Sequence, residues 1–119
     1  EECMNFECFK TSMEKCRKAV YVNEEPEASW AYEIKGLENG LCEVNVKLLQ
    51  AKRGELGIDR LAGYEMECNY PDGVGTYPEK DLEKCHGKLR EELQQIIIEK
   101  LHAYIIENLG KIDRELNSV

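Results

Sequence analysis

Six cysteines, at positions 3, 8, 16, 42, 68 and 85, are the residues of this 119-residue chain best placed by type and spacing to do chemistry. Thiolates hold metals, attack electrophiles or oxidise to disulfides. Zinc sites draw ligands in closely spaced pairs, whereas here the nearest pair is Cys3-x4-Cys8, no C-x-x-C occurs, and Cys85-His86 is the lone Cys/His neighbour. Adjacent helical residues point about 100° apart, so Cys85 and His86 make a poor nucleophile and base pair. An even number of cysteines with no metal spacing reads as a disulfide framework of Cys3, Cys8, Cys16, Cys42, Cys68 and Cys85, with reduced buried thiols as the alternative.

Other candidates are weaker. Glu33, Glu43 and Glu67 are expected in one row across neighbouring strands, where they form either a cation site or a solvated face bridged by Lys35 and Lys47. Glutamates spread on a flat sheet do not converge as a calcium loop does, so the salt-bridged face is preferred. His86 and His102 have no i, i+4 partner and read as surface or interface residues. Trp30, Tyr32, Tyr64 and Tyr70 read as core packing, and Tyr21, at the opposite parity, as a contact residue. No Gly-rich phosphate loop, Ser/His/Asp arrangement or H-E-x-x-H motif occurs. The expectation is a non-enzymatic protein with no catalytic residue, metal or cofactor.

The elements that carry these residues follow from periodicity. Phe6, Phe9, Met13, Cys16 and Val20 recur at spacings of three and four, predicting an amphipathic N-terminal helix. Segments 20–24, 29–36, 41–49 and 64–70 alternate with period two and predict strands, with even-numbered residues toward the core. Segment 51–63, with its glycines and no clear period, reads as a long mobile connection. Thr76-Tyr-Pro-Glu79 resembles a capping box, so a helix is predicted from Glu79 to about Leu109, with Gly87 as its bend and Gly110 as its C-cap. At about 45 Å it outreaches strands of roughly 20–30 Å. The whole is one α+β domain, 1–119, in the order α-β-β-β-β-α: a four-stranded antiparallel meander with an N-terminal helix and a long C-terminal helix on one face. Turns centred on Pro26, Glu38 and Glu55 pair Val22 with Trp30, Ile34 with Cys42, and Cys42 with Cys68. A Cys42–Cys68 disulfide is the preferred reading, and bonding of both to helical cysteines such as Cys16 or Cys85 is the alternative.

Acidic side chains outnumber basic ones 24 to 16, for a net charge of −8, which argues against nucleic acid and anionic membrane surfaces as partners. The first residues are charged and no apolar run of membrane length occurs, so neither a signal peptide nor a membrane span is expected within this sequence. Disulfides imply an extracellular or cell-surface setting, the alternative being the cytoplasm of a hyperthermophile.

The framework Cys3-x4-Cys8-Phe9, Cys16, "YEIKG" at 32–36, Cys42-Glu-Val44, Gly63-x2-Met66-x-Cys68 and Cys85-x-Gly87-x-Leu89 resembles a set of small six-cysteine exported or lipid-anchored prokaryotic proteins, largely archaeal. The resemblance spans residues 3 to about 109 and implies an extracytoplasmic disulfide domain without an assigned activity.

The apolar residues from Ile96 to Leu109 exceed what one sheet can cover. Ile98 and Ile106 lie on a flank displaced from the Leu89, Leu93, Ile97 line, with His102 between them, so Ile98, His102, Ile105, Ile106 and Leu109 are expected to form an interface. A homo-oligomer or a protein partner would cover it, unless the N-terminal helix and the 51–63 loop do so within the monomer. The function read from the sequence is a non-enzymatic extracytoplasmic protein-interaction or structural module, with self-assembly through this flank as one form of it; the alternative is a secreted inhibitor or ligand-binding protein presenting the 51–63 loop.

Overall fold

The computed structural model describes residues 1–52 and 57–117. Helix α1 spans Phe6–Glu14, opened by Asn5, whose side-chain oxygen accepts the Cys8 N–H at 2.9 Å. It closes on Cys16 at φ 49°, with the Cys16 N–H bonded to Met13 O at 3.0 Å and the Arg17 N–H to Ser12 O at 2.8 Å. This is the Schellman pattern, with cysteine where glycine is usual.

Five strands follow in a meander, β1 (Ala19–Glu24), β2 (Ala28–Glu38), β3 (Leu41–Ala51), β4 (Glu65–Tyr70) and β5 (Cys85–His86), hydrogen-bonded in that order and antiparallel throughout. The α+β class and the antiparallel sheet match expectation; the fifth strand does not. It falls inside the stretch expected to be helical. Pro78 opens one 3-10 turn, Pro78–Lys80, and a second follows at Leu82–Lys84. Gly87 then sits at φ 115°, and a Cβ there would lie 3.3 Å from the Met66 Cα. Only glycine passes that close to β4 in that conformation. The helix α2 therefore starts after Gly87, at Lys88–Glu107, and Gly87 is its boundary rather than its bend. Asn108 ends it, its backbone and side-chain N–H groups both donating to Tyr104 O at 3.0 and 2.9 Å. A third helix, α3 (Leu109–Asn117), contains Gly110, so Gly110 caps nothing.

Two registers differ from expectation. Asn39 and Gly40 have φ of 53° and 79°, the geometry of a two-residue hairpin turn, so the β2–β3 turn centres there and not on Glu38. Ile34 thus faces Val44, while Cys42 faces Leu37 on one side and Tyr70 on the other. β1 is offset by one, with Val22 opposite Ala31 and Asn23 opposite Trp30, which turns its odd residues inward. Val20 and Val22 consequently lie exposed, whereas Ala19 and Asn23 are buried. Tyr21 is no outward contact residue: its ring stands 5.8 Å from Phe9 and 6.0 Å from Tyr32.

One apolar core joins α1 (Phe9, Met13), the inner sheet face (Tyr32, Ile34, Val44, Val46, Leu48, Met66, Tyr70) and the first half of α2 (Leu89, Leu93, Ile96). Ile58 and Leu61 belong to it as well, so the second half of the 51–63 connection is packed rather than mobile; residues 53–56 lie outside the described residues.

All six cysteines are bonded, as Cys3–Cys8, Cys16–Cys42 and Cys68–Cys85. Cys42 and Cys68 do not join each other, because the two-residue register shift puts Val44 opposite Cys68. Cys68 bonds instead across its other neighbour, to Cys85 directly opposite it on β5, and Cys42 reaches the end of α1.

Candidate interaction surface and binding cleft

Helix α2 carries two apolar lines. Leu89, Leu93 and Ile96, at spacings of four and three, are buried on the sheet, and the same line continues as Lys100, Ala103 and Glu107. On the opposite side, Glu91 and Gln94 continue as Ile98, Leu101 and Ile105. The apolar stripe therefore changes sides near Ile96, and the second stripe points about 160° away from the first. Ile97, Ile98, Leu101, Tyr104, Ile105, Ile106 and Leu109 are 40% to 61% exposed. His102 is exposed beside them. Ile97, expected on the buried line, is half exposed between the two lines. Among the described residues neither α1 nor the 57–63 segment covers this face, so burial within the monomer is excluded there. The spacing of Ile98, Leu101 and Ile105 is that of a helix-pairing seam.

A cleft of about 560 Å³ opens where β2 begins, between the Pro78–Lys84 turns and α2. Trp30, Ala28, Ile58, Leu93 and Ile96 form its apolar wall, with Glu25, Glu27, Glu79, Lys80 and Lys100 also lining it. Glu79 is aimed inward because the preceding residues are pinned: Tyr77 stacks on Phe6 of α1 at 3.8 Å and Pro78 is buried. The buried Tyr32 hydroxyl donates to Glu79 Oε1 and accepts from Asn23 Nδ2 at 3.0 Å, and the same amide donates to Glu25 Oε1 at 3.1 Å. Burial raises the Glu79 carboxyl above the usual carboxylate range, against the Tyr32 hydrogen bond, which pulls it down. Burial, and then the Glu79 charge, push the Tyr32 hydroxyl up. Sequence reasoning missed this network, since Asn23 reads as outward-facing until β1 is offset by one.

The other candidates disperse. Glu33 and Glu67 flank Asn45, not Glu43: the Asn39–Gly40 turn sets Glu43 opposite Gly36, and the bulge between Ile34 and Gly36 then brings Glu33 opposite Asn45. Asn45 Nδ2 donates to Glu67 Oε1 at 2.7 Å and Lys35 Nζ stands 3.6 Å from it, so the row is bridged rather than convergent. His86 faces Glu67 from β5, far along the chain from His102. Glu1 lies near the sulfurs of Cys3 and Cys8, but those sulfurs are spent in a disulfide and are no metal ligands. Among the described residues, no helix is long and apolar enough to cross a membrane. Compared with protein-family models, curated proteins and solved structures, the chain matches none.

Proposed function

We propose that the protein is a non-enzymatic, extracytoplasmic interaction module that pairs with a second copy of itself through the outer face of α2. The exposed line Ile98, Leu101, Ile105, pointing away from the protein's own sheet, carries this reading. A helix face turned away from its own core gains burial only from outside it. No charged side chain interrupts Ile97, Ile98, Leu101, Tyr104 and Ile105, so two copies meet without burying a like-charge pair. Three disulfides support the extracytoplasmic setting.

Sedimentation at micromolar concentration tests the pairing. The parent is expected to be dimeric, and Ile98→Glu with Ile105→Glu a folded monomer whose association is at least a hundredfold weaker, with an unchanged circular-dichroism spectrum. A parent that stays monomeric at high micromolar concentration overturns the proposal.

A further inference from the structure

We propose that the cleft between the start of β2 and α2 binds a small amphiphile that carries one positive charge on an apolar body, an alkylammonium or arylalkylammonium ion. The volume of about 560 Å³ lies within the range of small-molecule sites, which is roughly 300–1,000 Å³. Its wall supplies the apolar half of the recognition through Trp30, Ile58, Leu93 and Ile96. The charged half comes from three carboxyl groups that line the cleft, Glu25, Glu27 and Glu79. Asn23 and Tyr32 link two of them, Glu25 and Glu79, in a continuous hydrogen-bonded chain, so they are held and not merely near. Glu27 follows on the same turn.

The lysines do not balance these acids. Lys80 and Lys100 also line the cleft, but two ammonium groups face three carboxyls, and Lys80 Nζ is shared with the Tyr77 ring, 4.5 Å from its centroid. An ammonium group entering here meets carboxylates and an indole side chain, and both carboxylates and aromatic rings attract cations. It would also offset the burial that raises the Glu79 carboxyl above the usual carboxylate range. A carboxylate ligand of the same shape meets an excess of like charge, and a neutral one leaves the acids without a partner.

Trp30 is the single tryptophan of the chain, so its fluorescence reports on the cleft alone. Octylammonium, octanol and octanoate, matched in chain length, are titrated in turn into the full chain. Octylammonium is expected to bind at least tenfold more tightly than octanol, with octanoate weaker still. Glu25→Gln with Glu27→Gln changes side chains outside the core and should remove about half of that preference on a logarithmic scale; Glu79→Gln should remove most of the rest while octanol binding persists. The same titration on Ile98→Glu with Ile105→Glu should be unaltered. Octanol binding as tightly as octylammonium, octanoate binding more tightly, no response to any probe, or loss of the response in the α2 variant overturns the proposal.

Discussion

The sheet with its N-terminal helix and the outer half of α2 are both rich in apolar side chains, yet they treat them in opposite ways. In the first, Phe9, Val44, Val46, Leu48 and Tyr70 have no exposed surface at all, and two disulfides, Cys16–Cys42 and Cys68–Cys85, tie the layers and the last strand together. In the second, isoleucines and leucines of the same type stay about half exposed on a helix without a cross-link. Residue type alone does not decide burial. What decides it is which line of the helix meets the sheet, and on α2 that line is apolar only as far as Ile96.

The contrast is sharpest for stability. Phe9→Ala empties a site in contact with Tyr21 and Tyr32 and is expected to cost about 3–5 kcal/mol in urea unfolding. Ile105→Ala on the outer line should change the unfolding of dilute, monomeric protein by less than about 0.5 kcal/mol. A loss above about 1.5 kcal/mol at Ile105 under those conditions would break the comparison, because it would make the outer line part of the monomer's core.

Replacing Cys16 and Cys42 together by serine should cost about 3–4 kcal/mol, since the bridge closes 26 residues of chain. Cys3 and Cys8, only 5 apart, should cost nearer 2 kcal/mol when replaced in the same way. Equal losses from the two pairs in matched thermal or urea unfolding would show that the N-terminal loop contributes by packing and not by chain constraint.

The smallest effect is a slope with pH. Glu79 holds its proton more tightly folded than unfolded, so its contribution is full below the ordinary carboxylate range and lost as pH rises through the raised folded value. Glu24, held down by hydrogen bonds from Lys52 and Ser29, and Glu92, held down by Lys88 and Arg60, work the other way. Their contribution is present above the ordinary carboxylate range and fades as pH falls through the lowered values. Glu79→Gln should therefore flatten the decline of melting temperature as pH rises above the ordinary carboxylate range and leave the acid-side decline in place. An unchanged profile in the variant would place Glu79 in water rather than against Tyr32.

Much of the sheet was legible in the sequence, because strict alternation in 29–36, 41–49 and 64–70 leaves one inward parity. β1 was not, since Val20, Tyr21 and Val22 are apolar at both parities and the choice rests on turn length. The Asn39–Gly40 turn was written in the chain as a strong hairpin signal, and reading it would have moved Cys42 from Ile34 to Leu37; its displacement from Cys68 belongs to the β3–β4 connection instead. β5 and the late start of α2 follow from one close approach, Gly87 against Met66, which no local pattern encodes. The outer face of α2 was visible as an excess of apolar residues; its direction emerges only once Ile96, and not Ile97, is known to end the buried line. The cleft depends on β1 register and on two 3-10 turns, both tertiary outcomes, and for that reason its carboxyl groups carried no signal beforehand.

The disulfide set has a consequence for how the protein is made. Taken in order of appearance, the cysteines pair first with second, third with fourth and fifth with sixth. Six thiols admit about 15 complete pairings. A chain emerging from its N-terminus presents each even-numbered thiol at a moment when its correct mate is the lone unoxidised one already outside. Oxidation in step with emergence thus yields the native set without an isomerase, and here rapid oxidation is the safe course.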